Sequence, residues 1–247
     1  MRRTALLACL CLVSCSSRRS LTIEIQVPDL AGVDTPIPGV LLSALPYDRD
    51  SILNAMARRT PTPRPNTQRL DSLFLAFHAP FLNFSRVAWD LEQATRREDS
   101  LTRARTTTAA GSPAANELDA RLRALSDTLA YLTPELAKAR GALGAARDTL
   151  WPEMNRLRGQ VRAWENSTYA GYDTVVRSQS IDKMKQLIAD TSDARGVGRL
   201  RVSTGKWWIY ARSPDPQDPN LQWYWNVPVS SDTIRLNSAT GRRLPRY

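Results

Sequence analysis

His78 is the only histidine of the chain, and it sits in an aromatic stretch between Phe77 and Phe81. One imidazole does not supply the two or three that zinc sites commonly draw on, so the pattern reads as a packed or surface residue. Asp48, Arg49 and Asp50 set two carboxylates around a guanidinium. Side by side they could hold a cation, or act as an acid and base pair if burial drove their pKa values apart. Pairing with the arginine, and Asp50 as the N-cap of a helix, account for the same residues. Asp190 and Asp193 offer calcium-type oxygen ligands without a spaced ligand loop, and a turn explains them. Serine, threonine and tyrosine are plentiful, yet no glycine-flanked nucleophile elbow, Ser-x-x-Lys set or phosphate-cradling loop accompanies them. No catalytic group, metal or cofactor is therefore assigned. A hydrolase would need polar residues converging from distant segments around Asp48 or His78.

The aromatic residues carry the stronger signal. Along Lys206–Ala211, Trp207, Ile209 and Ala211 alternate with Trp208 and Tyr210; along Leu221–Val227, Trp223, Trp225 and Val227 alternate with Tyr224 and Asn226. One set lines a core. The other forms either the floor beneath a helical layer or a stacking face for sugar, peptide or protein. Candidate stacking residues are Trp208, Tyr210, Tyr224 and Trp225, with Arg199, Arg201 and Lys206 as candidate basic contacts.

Positioning these residues requires strands at both ends of the chain. Leu21, Ile23, Ile25 and Val27 alternate with polar neighbours in a half-buried strand that ends at Pro28. Val40–Leu45 predicts a second strand and Ser51–Arg59 a short helix. After the proline-rich segment 60–66 the period changes to three and four, through Leu70, Leu73, Phe74, Phe77, Phe81 and Phe84 to Ala94, with Pro80 kinking or dividing the run. Residues 106–116 form a linker. A heptad-like seam follows from Leu118 through Leu122, Leu125, Leu129, Leu132, Leu136 and Leu143 to Leu150, continued by Met154, Leu157, Val161 and Trp164. Thr133-Pro134 and Trp151-Pro152 predict breaks, giving two or three stacked helices that fold back on residues 67–105. Tyr172–Arg177 reads as a strand and Ile181–Ile188 as a short amphipathic helix. Strands at 198–202 and 206–211, then at 221–227 and 232–236, read as two tightly joined pairs. The expected fold is α+β: a small β-sandwich from residues 21–59 and 168–247, interrupted by an antiparallel helical hairpin or bundle over 60–167.

The N-terminus sets the compartment. Arg2 and Arg3 precede a short apolar run, too short to span a bilayer, that ends at Cys15. Leu12-Val13-Ser14-Cys15 resembles the bacterial lipobox, which implies a signal peptide over 1–14, a lipidated Cys15 and a tether over 15–20. Because Ser16 rather than Asp follows the cysteine, the resemblance implies an outer-membrane anchor facing the periplasm. Two or more acyl chains make such an anchor durable. All three cysteines fall at or before position 15, so the body relies on packing rather than disulfides. The net charge is +10, nearly all from arginine and concentrated toward the C-terminal third. A basic tail suits a solvated face or anionic lipid and glycan, and export argues against nucleic acid.

Val40–Ala44 after Pro38 and Gly39, together with Asp193-Ala194-Arg195-Gly196, Val197–Val202, Gly205 and Trp207–Ala211, resemble the opening and central hairpin of the transthyretin-like or carboxypeptidase regulatory-like β-sandwich, here with a long insertion between the two parts. Members commonly serve as accessory, adhesive or carrier modules. The expectation is a non-enzymatic, lipid-anchored cell-envelope scaffold or interaction module that meets an envelope protein or a second copy. A glycan- or ligand-binding module using the Trp/Tyr face is the alternative, with a hydrolase third.

Overall fold

The structure is a computed structural model that describes residues 18–180 and 188–247. The signal segment, Cys15 and all but Ile188 of the helix expected over Ile181–Ile188 lie outside the described residues.

The chain runs β1 (Arg18–Pro28), β2 (Asp34–Pro36), β3 (Leu41–Leu45), α1 (Arg49–Arg59), α2 (Gln68–Thr107), α3 (Pro113–Thr168), α4 (Tyr172–Ser180), β4 (Ile188–Thr191), β5 (Val197–Ser203), β6 (Trp208–Asp215), β7 (Asp218–Pro228), β8 (Thr233–Leu236) and β9 (Arg242–Pro245). It is an α+β fold with two sheets that do not close into a barrel. In the four-stranded sheet β1 pairs antiparallel with β2 and β5 and parallel with β8; the five-stranded sheet is antiparallel in the order β4-β3-β6-β7-β9. Leu21, Ile23, Ile25 and Val27 of β1 meet Leu42, Ile209 and Trp225 of the facing sheet in one core, each of them fully buried. Burial of such side chains stabilises by roughly 1.5–3 kcal/mol each.

Both tight connections differ from expectation. Residues 203–207 and 229–232 do not close hairpins: β5 pairs with β1 whereas β6 pairs with β3 and β7, and β8 returns to β1 while β7 pairs with β6 and β9. Each connection crosses from one sheet to the other, because inward residues on both flanking strands share the inter-sheet core and cannot lie in one sheet face. The turn before β5 has a backbone requirement. Asp193 Oδ1 accepts from the N–H groups of Arg195 and Val197, and Gly196 then takes a φ of 71° with its Cα against the Ile25 carbonyl.

The helical seam is one helix. Pro134 and Pro152 both lie inside α3, and Pro80 inside α2. Pro134 and Pro152 are exposed, so the carbonyls they orphan face water, and Thr133 Oγ1 donates to the Leu129 carbonyl at 2.8 Å. An interior proline costs about 3 kcal/mol. The apolar seam on either side, packed along α2, outweighs that penalty. Ser112 caps α3 through the Ala115 N–H at 3.1 Å, with Pro113 in the first turn. Tyr172–Arg177, expected as a strand, belongs to α4: its N–H groups bond back to Tyr169 and Gly171, and Val176 is buried. Packing of Tyr172 against Tyr47 decides this short segment over its β-branched composition.

The two long helices run antiparallel, matching Phe77 to Trp151 and Arg105 to Asp119. Their base is a cluster of Leu70, Leu73, Phe74, Phe77 and Met154 joined by Tyr247. Tyr247 stacks on Phe74 at 6.1 Å and donates to Asp71 at 3.0 Å. Arg158, buried over the Phe74 ring, donates to the Arg246 carbonyl at 3.1 Å and to Asn220 Oδ1 at 2.7 Å. Burial and the like charges of Arg162 and Arg246 lower its pKa. His78 is placed here, 2.9 Å from Asp218, and ties α2 to the start of β7.

Candidate functional site

The solvent face of the five-stranded sheet meets α1, α4 and the end of α3 at a cleft of about 700 Å³. Cavities of this size accommodate small molecules. Its floor is tyrosine and its polar groups are arginine and carboxylate. Tyr210 and Tyr224 project from neighbouring positions of β6 and β7, ring centroids 5.8 Å apart and edge to face. The alternation that buries Ile209, Ala211, Trp223 and Trp225 in the core turns these two outward.

Helix α1 brings the charges. Its cap is Asp48 rather than Asp50: Asp48 Oδ1 accepts from the Asp50 N–H at 3.0 Å and from Asn226 Nδ2 at 2.6 Å, and Oδ2 accepts from Ser51 Oγ at 2.6 Å. Burial opposes ionisation of Asp48, but the bonds from Ser51, Asn226 and the backbone outweigh it and hold its pKa below the ordinary carboxylate value. Freed from capping, Asp50 faces the sheet. It accepts from the Tyr224 hydroxyl and, at 2.6 Å, from Arg242 Nη2. Arg49, one residue earlier, lies 4.8 Å over the Tyr210 ring and 5.6 Å from that of Tyr172, donating to the Tyr224 hydroxyl at 3.3 Å. Arg212 stands 5.4 Å from the Tyr224 ring and 5.8 Å from the Tyr210 ring; Arg242 is 5.1 Å from Tyr224. Three cations thus crowd two rings, an arrangement favoured by the negative faces of the π systems.

Burial and the hydrogen bond to Asp50 push the Tyr224 phenol up to about 12, so it serves as a neutral donor. Burial and the contact with Tyr47 raise Tyr172 as well. Glu165, Asn166, Tyr169 and Asp173 complete the wall. No cluster of three potential metal-binding side chains occurs among the described residues.

The candidates read from sequence separate into three places. Trp208 and Tyr210 are half-buried and Tyr224 nearly sealed on this face of the sheet, Tyr210 and Tyr224 lying against Arg49 and Asp50 of α1. Trp225 is not a stacking residue: it is fully buried in the inter-sheet core, its indole N–H donating to the Asn237 carbonyl at 3.0 Å. Arg199 and Arg201 lie on the solvent face of the other sheet, with Lys206 in the crossing connection, so they do not join the tyrosines. Sequence reading missed Arg212 and Arg242, whose partners are remote in the chain. The sole sequence signal was that Arg212 follows Tyr210 by two residues and hence shares its face.

No protein-family model, curated protein or solved structure matches the chain. Among the described residues, no helix is long and apolar enough to cross a membrane.

Proposed function

We propose that the chain is a non-enzymatic, lipid-anchored cell-envelope scaffold, held at the outer membrane through Cys15 and presenting its long helical hairpin to an envelope protein or a second copy of itself. The observation that carries this reading is the hairpin beyond its base. Among the described residues α2 and α3 contact each other more than they contact any other element, while Trp89 and Tyr131 stand 41% and 66% exposed on the sides of the hairpin. Large aromatics outside a helical seam are the residues that most often anchor protein contacts.

Photo-crosslinking residues placed at 89 and 131 in the native envelope should give discrete adducts, and one at 199 should not. Absence of adducts from both hairpin positions, with a body that sediments as a monomer, would remove the scaffold reading. Mass spectrometry of the protein from its host should find a diacylglyceryl thioether at Cys15; a free thiol there would remove the anchor. The cleft over Tyr210 and Tyr224 favours a second reading, a ligand-binding module that uses this sheet face.

A further inference from the structure

Other arginines of this protein have either a carboxylate or several oxygen acceptors: Arg105 has Asp119, Arg242 has Asp50, Arg243 has Asp215, and the buried Arg158 has two uncharged oxygens. Arg49 has less. It is half-buried, yet among the described residues its five N–H donors find one acceptor, the Tyr224 hydroxyl, and no carboxylate lies within salt-bridge distance. Arg212 has ring contacts and, among the described residues, neither hydrogen bond nor ion pair. Rings attract a guanidinium through its face but leave the in-plane donors unsatisfied.

The acids already near these two cations are committed elsewhere. Asp48 is held by the helix cap and Asn226, and Asp50 by Tyr224 and Arg242. Tyr224 stays a neutral phenol, so it adds no charge. Arg49 and Arg212 sit against the same Tyr210 ring and line the same cavity. Planar guanidinium forks with free in-plane donors match the two oxygens of a carboxylate or phosphate group.

We propose that this cleft binds a small polar molecule through one oxyanion, a carboxylate or a phosphate, received by Arg49 and Arg212. The cavity is larger than a bare anion, so the ligand's body extends past Tyr169 and Asn166. Asp173 and Glu165 on the same wall oppose a second negative group and accept hydroxyl or amine donors. The ligand therefore carries one oxyanion group at this end and is rich in donors at the other, as a sugar acid or sugar phosphate is. This proposal is separate from the scaffold reading, whose readout is crosslinking from the hairpin.

Calorimetry on the body with glucuronate, glucose 6-phosphate, inorganic phosphate and uncharged glucose tests it. Saturable one-to-one binding of glucuronate or glucose 6-phosphate is expected, and of the two, the tighter identifies the oxyanion. Glucose should give none. Arg212→Gln, at an exposed position, should weaken binding about tenfold or more, as should Arg49→Gln. Arg49→Lys should fall between, having charge without the fork. Arg201→Gln should bind like the native protein. Absence of saturable binding by all three anions overturns the proposal. So does equal weakening by Arg201→Gln, which would mark a general charge effect, or glucose binding as tightly as its phosphate. Circular dichroism of Arg212→Gln confirms that any loss is local.

Discussion

Gly196 shows how one missing methyl group holds two segments together. A Cβ built there would lie 2.5 Å from the Ile25 carbonyl oxygen, and the φ of 71° is one that side-chain-bearing residues rarely adopt. Gly196→Ala should therefore destabilise the sandwich by about 2 kcal/mol or more, read from a urea midpoint. Asp48 gives a pH test. Its folded pKa is depressed, so its contribution is fully present above the unfolded value of about 4 and is lost as pH falls through the lower folded value. Asp48→Asn retains a capping oxygen but does not titrate, so the acid limb of its stability curve should be shallower than the native one. At this scale the sequence was legible wherever alternation alone decided orientation: Leu21, Ile23, Trp207 and Tyr210 face as their spacing requires. Trp225 shows the limit. Its own alternation with Tyr224 assigns it to the core, and the expectation of a stacking role for it ignored that parity. The cleft was illegible for another reason. Arg49, Tyr172, Arg212, Tyr224 and Arg242 come from five elements, and no local spacing encodes their meeting.

Among elements, α3 shows propensity yielding to packing. Prolines at 134 and 152 predict breaks, but a seam of leucines shared with α2 is worth more than one lost hydrogen bond whose carbonyl can turn to water. Pro134→Ala should accordingly leave the fold unchanged and stabilise it by about 1–3 kcal/mol, seen as a higher melting temperature. The base behaves in the opposite way. Arg158→Ala would strand Asn220 Oδ1 and the Arg246 carbonyl and open space beside Phe74, and should destabilise by about 3 kcal/mol in chemical denaturation. Strand partnership was the least legible feature. Ser203, Thr204 and Gly205 are turn residues whether the chain reverses within a sheet or crosses between two, and only the shared core selects the crossing.

For the molecule as a whole, the hairpin is separable in length from everything below it. Excising residues 88–101 and 125–138 removes two matched heptads from the antiparallel pair, which keeps the seam in register and shortens the hairpin by about 21 Å. The sandwich transition should stay within a few degrees of the native one, as among the described residues the two long helices contact chiefly each other. Helical circular dichroism should drop, and the crosslinks expected at 89 and 131 go with the residues removed.

The C-terminal clasp has a mechanical consequence. About 40 Å of paired helix extends past Phe81, so a pivot of about 5° at that fulcrum sweeps the distal turn through roughly 3 Å. The torque bears on Arg246 and Tyr247, which continue directly from the strand that presents Arg242 and Leu244 to the cleft wall. A load taken up at the far end of the helices is thereby delivered, through one short length of backbone, to the arginine that holds Asp50 in place.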